Sequence, residues 1–144
     1  MIGAWIAKRK VPKFFDALNR RDVEAFLKNW ADDAMYIYPG NMAGISGRHM
    51  GKKSIQTWFQ NMLKQFPALR FTIQHVAINN PLAMTGSNII ATHFNIDVTN
   101  REGQTIHNSG VAVTTVRRGK IIHDQIFLFD TGEKFRTAWG EGKQ

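Results

Sequence analysis

The residue with the clearest chemical potential is Asp124, a carboxylate within the apolar run of residues 119–130. The run is rich in β-branched and aromatic residues, which predicts a strand. Alternation along a strand places Asp124 on the same face as Ile122, Ile126 and Leu128. Because a buried carboxylate must be paired, hydrogen-bonded, protonated or next to water, two interpretations are open. Asp124 is either an acid/base group at the floor of an apolar pocket, or an Asp near a strand end that is solvated or paired with a basic residue.

Two tyrosines could assist such a carboxylate. Tyr36 and Tyr38 flank Ile37 and share one face of a predicted strand over residues 34–38. A phenol is a competent hydrogen-bond donor to a developing oxyanion. In the functional interpretation one hydroxyl lies inside the pocket, and Asp124 acts as general base with a pKa raised by apolar walls. In the alternative, both tyrosines pack as ordinary strand residues whose hydroxyls reach solvent.

The other chemically active residue types form no recognisable motif. The chain has no Cys, which excludes disulfides and thiol chemistry. No pair among the five histidines has a metal-binding spacing, so we expect no metal and no cofactor. Strand parity places His93, His107, His123 and Asp97 on the outer face of a sheet. His49 is the exception, since its loop could border the mouth of a pocket.

Composition and charge restrict the function further. A chain of 144 residues with 43% hydrophobic residues predicts one domain with one sizeable core. No run approaches the roughly 18 apolar residues of a membrane span, and the positive charges follow rather than precede the apolar N-terminus. We therefore expect a cytoplasmic protein without membrane association. The net charge of +8 leaves an acidic partner as an alternative, but no aromatic-interleaved basic motif favours nucleic acid.

The elements that must position these residues follow from apolar periodicity and turn residues. A first helix covers residues 11–19, or begins near residue 4 and is kinked at Pro12. Asp22 is the expected N-cap of a second helix with the apolar stripe Val23, Phe26, Leu27 and Trp30. The remaining expected elements are a strand over residues 34–38, a Gly-rich loop over 41–50, a third helix from 51 to 66, strands over 69–78, 87–99, 105–117 and 121–129, and a short helix over 132–139. The last three strands should form an antiparallel meander, giving an α+β fold.

Specific short segments accompany this order of elements. They are residues 14–19, Asp22, residues 30–34, 39–40, 47–48, 51–55, 66–71 and 119–122. In combination they resemble the nuclear-transport-factor-2-like superfamily, and within it the SnoaL-like polyketide cyclases and ketosteroid isomerases. The resemblance implies a cone-shaped α+β barrel, in which a curved and mainly antiparallel sheet wraps around three helices. It also implies a single SnoaL-like domain over residues 1–144, with a core over 10–130 and a C-terminal extension over 131–144, and a homodimer built on the convex sheet face.

Most catalytic positions of the resembled families carry other residues here. The three positions that matter in the isomerase branch correspond to Phe14, Tyr38 and Ala112, so steroid isomerisation by that mechanism is not expected. In the cyclase and epoxide-hydrolase branches an Asp occupies the position of Ile126. Asp124 lies two residues earlier on the same face, about 7 Å along the strand, and could reach the same cavity.

The sequence therefore predicts a pocket for a small apolar or aromatic molecule, with Asp124, Tyr38 and Tyr36 as its catalytic residues. A cofactor-free isomerase, cyclase or hydrolase is the enzymatic version of this hypothesis. A non-catalytic ligand-binding or dimerisation module with a degenerate site is the alternative. The expected walls are Phe14, Trp30, Trp58, Phe59 and Met62 from the helices, and Asn108, Ala112, Thr114, Ile126 and Leu128 from the strands.

Overall fold

A computed structural model of the chain describes residues 2–82 and 86–140, with side chains from residue 5 onward. The described residues form four helices and six strands. In chain order these are α1 (Ile2–Asn19), α2 (Val23–Leu27), β1 (Trp30–Tyr38), β2 (Gly47–Met50), α3 (Lys52–Gln65), β3 (Ala68–Ile78), β4 (Asn88–Thr99), β5 (Thr105–Arg117), β6 (Lys120–Leu128) and α4 (Glu133–Ala138).

The helices follow their sequence signals closely. The first helix is the longer of the two alternatives, and Pro12 lies inside it. Asp22 caps α2 as expected, since its side chain accepts a hydrogen bond of 2.9 Å from the Ala25 amide. Helix α3 ends just before Pro67, which cannot continue a helix. Its buried residues, among them Trp58, Phe59 and Met62, share the face that packs on the sheet.

Two expectations for the first half of the chain are wrong. Trp30 is not the last residue of the second helical stripe but the first residue of β1, where it is fully buried. Residues 41–50 are not all loop, because Gly47–Met50 form β2 and pair antiparallel with β1. In both cases pairing with a neighbouring strand decides the secondary structure, because it outweighs the weak local propensity for helix or loop.

The six strands form one curved, unclosed sheet in the order β2-β1-β6-β5-β4-β3. The expected meander of β4, β5 and β6 is confirmed, and β1 joins its edge parallel to β6. The helices cover one face of the sheet and bury their apolar stripes against it. This is the α+β architecture that the sequence predicts.

An irregularity in β6 overturns one predicted side-chain direction. Period-two alternation places Ile121 on the outer face, but this residue is buried and pairs with the inward-facing Val116. The register shifts between this pair and the next one, Thr115 with His123, so Ile122 is an extra residue in the strand. Such a bulge reverses the alternation of inward and outward side chains for Ile121, which precedes it. Asp124 follows the bulge and still faces inward.

No helix within the described ranges is both long and apolar enough to cross a membrane.

Candidate functional site

Asp124 lies in the wall of an internal cavity between the helices and the sheet, which we call the carboxyl cavity. Its volume is about 70 Å³, and aromatic side chains make up most of its wall. Among the described wall residues, Asp124 alone carries a formal charge. The wall consists of Phe14, Phe15, Leu18, Phe26, Tyr36, Tyr38, Phe59, Met62, Phe66, Phe71, Phe94, Ile96, Val98, Ile106, Asn108, Asp124, Ile126, Leu128, Phe135, Ala138 and Trp139.

The carboxyl group of Asp124 is enclosed, with 2% of the residue exposed. It accepts a hydrogen bond of 2.7 Å from the Thr114 hydroxyl, the residue directly opposite on β5. Burial among apolar side chains raises the pKa of Asp124 to about 7, although the Thr114 hydrogen bond acts in the lowering direction. Near neutral pH the carboxyl group therefore exists in both protonation states, as an acid/base group requires.

Tyr36 and Tyr38 both lie in the wall of the carboxyl cavity. Their rings are 6.3 Å apart between centroids, and Tyr36 is paired with Asp124 across β1 and β6. The Trp139 indole nitrogen donates to the Tyr38 hydroxyl at 3.3 Å. Burial raises the pKa of both phenols well above 10, and the neighbouring Tyr38 and Asp124 raise that of Tyr36 further. Both phenols are consequently neutral donors at pH 7.

Six of the ten predicted ligand-binding residues line this cavity. Trp30 instead forms part of the core beneath it, where its indole nitrogen is buried without a partner among the described residues. Trp58 packs against Tyr38 with the two rings tilted by 52°, and its indole nitrogen donates to the Ile45 carbonyl at 2.9 Å. Ala112 belongs to a second core cluster, and Thr114 contacts the cavity only through Asp124. The six wall residues are Phe14, Phe59, Met62, Asn108, Ile126 and Leu128.

Sequence reasoning missed the part of the wall that comes from the C-terminal segment. Phe135, Ala138 and Trp139 lie on or next to α4, which closes one end of the cavity. The side-chain amide of Gln65 donates to the Ala138 carbonyl at 2.7 Å and holds this segment in place. The i, i+4 spacing of Phe135 and Trp139 on the predicted terminal helix is a signal that could have revealed it.

The histidines lie outside the cavity wall. His75 and His93 face each other across β3 and β4 with 3.2 Å between their Nδ1 atoms, and His107 is hydrogen-bonded to Asp97. His49 belongs to β2 and contacts the Ile45 carbonyl rather than the cavity. Within the described part of the chain, no three His, Cys, Asp or Glu residues come together as a metal site would need.

A second cavity lies toward the other end of the sheet, and we call it the lysine cavity. Its volume is about 290 Å³, and it is bounded by the first half of α1, the adjoining ends of the central strands and the turns between them. Lys10 is the one formally charged residue in its described wall. Phe14 and Phe15 belong to the walls of both cavities, so these two rings separate them on the helix side.

The family assignment follows from the sequence together with this fold. The SnoaL-like domain family matches residues 11–123, which is most of the chain. The protein therefore belongs to the SnoaL-like family, within the nuclear-transport-factor-2-like superfamily that its element order resembles. The matched segment ends one residue before Asp124. The sequence matches none of the functionally curated proteins with which it was compared.

Solved structures of low sequence identity share the fold. Bal32a, from a soil-derived mobile gene cassette, is 18% identical with a TM-score of 0.74, covering 89% of this chain and 92% of its own. TerC, co-crystallised with polyporic acid, is 19% identical with a TM-score of 0.73, covering 91% and 95%. An NTF2-like protein of unknown function from Burkholderia pseudomallei is 20% identical with a TM-score of 0.75, covering 90% and 94%. At these identities the likeness concerns the fold alone.

Proposed function

We propose that this protein is a cofactor-free acid/base enzyme that acts on a small, uncharged apolar or aromatic molecule in the carboxyl cavity. One observation carries the proposal: a single carboxyl group, that of Asp124, is enclosed in an aromatic wall with a pKa of about 7. A general base is most effective when its pKa lies near the working pH. The family includes isomerases and polyketide cyclases.

The chemistry that suits this arrangement is proton removal from a carbon next to a carbonyl group. The Asp124 carboxylate takes the proton, and the electron pair of the broken C–H bond moves onto the carbonyl oxygen as an enolate. Tyr36 or Tyr38 donates a hydrogen bond to that oxygen, which its raised pKa permits because the phenol stays protonated. Return of the proton from Asp124 to another carbon completes an isomerisation. Alternatively, the enolate carbon attacks a second carbonyl group to close a ring, and the proton on Asp124 passes to the alkoxide that forms.

The size of the cavity sets a condition on binding. A volume of about 70 Å³ is less than half of the roughly 150 Å³ known to accept a benzene ring in another protein. A ring-sized ligand thus requires part of the wall to move. Helix α4 is the element that we propose moves, since it has only six residues and closes one end of the cavity. Its movement would break the hydrogen bonds that Gln65 and Asn100 donate to the Ala138 carbonyl and the ring contacts that Phe135 and Trp139 make with Tyr38.

Deuterium exchange into acetophenone in D2O tests the proposed chemistry directly. The protein should accelerate loss of the methyl proton signal, and Asp124→Asn should reduce that rate by about 10²- to 10⁴-fold. Asp33→Asn is the matched control, because Asp33 is an exposed acid on β1 outside the cavity wall. Equal rates for Asp124→Asn and the unchanged protein would contradict the assignment. A carbon-13 titration in which the Asp124 carboxyl group titrates near pH 4 would contradict it independently of any substrate.

A non-catalytic ligand-binding module is the second candidate. The replacement of the isomerase residues at Phe14, Tyr38 and Ala112 favours it. It predicts that acetophenone binds without exchange, and that Asp124→Asn leaves the dissociation constant unchanged within about twofold.

We further propose that the protein forms a homodimer through the outer face of its sheet. Phe127 and Phe129 are 48% and 66% exposed there, and the Phe129 ring lies 5.7 Å from that of His93. Exposed aromatic side chains on one sheet face are typical of an interaction surface. Light scattering should give twice the monomer mass, and Phe127→Asp should reduce it to the monomer value. Met50→Asp is the control, because Met50 is 57% exposed but lies on β2 at the far edge of the sheet.

A further inference from the structure

The lysine cavity is larger and chemically different from the carboxyl cavity. Its volume of about 290 Å³ is nearly twice the roughly 150 Å³ that accepts benzene in another protein. Apolar side chains supply most of its wall, including Val11 on α1, Ile78 on β3, Ile90 on β4 and Ile121 on β6. A cavity of this size and composition holds a ligand with an apolar body of about eight to ten carbon atoms.

Lys10 gives this cavity a charge preference. It is exposed, it lies at the edge of the cavity on α1, and no acidic residue belongs to the described wall. The polar wall residues are neutral, as are the two deeply placed hydroxyls of Thr92 and Thr114. An anionic headgroup at Lys10 would therefore meet one positive charge and no opposing one, while its apolar body lay between α1 and the sheet.

The wall on the strand side is held by backbone hydrogen bonds. The Gly119 amide donates to the Gly86 carbonyl at 2.9 Å, and the Arg118 amide donates to the Ser87 hydroxyl at 3.2 Å. These bonds tie the segment before β4 to the turn between β5 and β6. The bulge in β6 then directs Ile121 inward. Residues 86 and 87 are thus held against that turn at one edge of the cavity.

We propose that the lysine cavity is a binding site for an amphiphilic carboxylate, with the alkyl or aryl body inside and the carboxylate at Lys10. The two cavities are divided by the Phe14 and Phe15 rings on the helix side and by the hydrogen-bonded Thr114–Asp124 pair on the sheet side. A ligand in the lysine cavity therefore contacts the Thr114 side of that pair and not the cavity lined by Asp124. The site does not depend on whether the carboxyl cavity is catalytic.

Isoleucine methyl NMR with octanoate as the probe tests the site without any substitution. Each cavity has its own reporters, since Ile78, Ile90 and Ile121 line the lysine cavity and Ile96, Ile106 and Ile126 line the carboxyl cavity. Octanoate should shift the first group in a saturable way and leave the second group largely unchanged. Shifts confined to the second group, or no saturable shift up to about 5 mM, would overturn the proposal.

Matched variants and a matched probe test the role of the charge. Lys10→Ala should weaken octanoate binding about two- to fivefold, the range expected for a solvent-exposed ion pair, and should leave 1-octanol binding unchanged. Lys13→Ala is the control, because Lys13 lies on the same helix outside the cavity wall. Equal losses for the two variants, or equal effects on both probes, would overturn the headgroup assignment.

A filling variant tests whether the alkyl chain occupies the cavity. Ala7 is buried in its wall, so Ala7→Leu should reduce octanoate affinity more than tenfold by occupying the same space. Val11→Phe is the second variant if Ala7→Leu fails to fold, and circular dichroism establishes folding for each. Unchanged affinity in a folded filling variant would place the ligand elsewhere and overturn the proposal.

Discussion

Helix α1 and the sheet line both cavities. The one charged residue is negative in the carboxyl cavity and positive in the lysine cavity. In the carboxyl cavity the charged residue is Asp124, which is enclosed and therefore exchanges a proton near neutral pH. In the lysine cavity it is Lys10, which lies at the edge and stays in contact with water. The two proposals therefore rest on depth: the buried charged residue is proposed as an acid/base group, and the exposed one is proposed to select a ligand by its charge.

The two cavities also differ in the regularity of the part of β6 that lines each of them. Asp124 lies in the regular half of β6, opposite Thr114, and keeps its partner because the register is unbroken there. Ile121 lies beyond the bulge and faces inward only because Ile122 is an extra residue. One strand therefore supplies a precise polar pair to one cavity and an apolar wall to the other.

The largest effect that would test this contrast is the pH dependence of stability caused by Asp124. Because its folded-state pKa of about 7 lies above the unfolded value near 3.9, the folded protein holds a proton that the unfolded chain has lost. The stabilisation is complete below pH 4 and falls by about 1.4 kcal/mol per pH unit until pH 7. In Asp124→Asn this dependence should vanish, so the variant gains stability relative to the unchanged protein as pH rises.

Urea unfolding at pH 5, 6, 7 and 8 measures this difference, with Asp33→Asn as the exposed control. If the difference in unfolding free energy between Asp124→Asn and the unchanged protein stayed constant across that range, Asp124 would be ionised throughout. Its enclosure would then have no effect on its pKa.

Opening the carboxyl cavity should have the next largest effect. Trp139 contacts Tyr38, Trp58 and Phe66, so Trp139→Ala should cost about 3 kcal/mol of unfolding free energy and enlarge the cavity. Trp5→Ala is the control, because Trp5 is 57% exposed and has the Arg9 guanidinium carbon 4.2 Å from its ring centroid. That control should cost less than about 1 kcal/mol. Similar losses in the two variants would show that α4 does not seal the cavity.

A glycine pair tests whether the wall of the lysine cavity is closely packed. Gly86 has φ of +70°, and a Cβ atom there would lie 3.0 Å from the Gly119 nitrogen, so Gly86→Ala should cost about 2 kcal/mol. Gly103 has φ of +85° with nothing within 4 Å of an added Cβ, so Gly103→Ala should cost only about 1 kcal/mol. Thermal unfolding of both variants measures the difference, and equal costs would mean that the segment before β4 is loosely held.

The smallest effect concerns the hydroxyl that separates the cavities. Thr114→Val removes the hydrogen bond to Asp124 with little change of shape, so it should cost about 1 kcal/mol and raise the pKa of Asp124 further. The carbon-13 titration of the Asp124 carboxyl group checks the direction of the shift. A lower pKa in Thr114→Val would show that this hydroxyl does not stabilise the carboxylate.

Much of the fold was predictable because its signals are local. Asp22 at a helix start, Pro67 after a helix end and the turns between the last strands all act on neighbouring residues. Trp30 was assigned to the wrong element because its apolar stripe also suits a helix, and only pairing with β6 decides for a strand. The α4 wall of the carboxyl cavity depends on contacts between segments more than 70 residues apart, such as Gln65 with Ala138.

The amino-acid pattern alone establishes that an acid shares a strand face with aliphatic residues, because side-chain alternation is a property of the strand. Tertiary structure decided what surrounds that acid: the partner hydroxyl of Thr114, the aromatic wall that raises its pKa, and the small volume left beside it. It also decided that a second cavity exists, because the bulge that turns Ile121 inward is set by pairing with β5. Packing between distant segments fixes both features, and no local pattern encodes it.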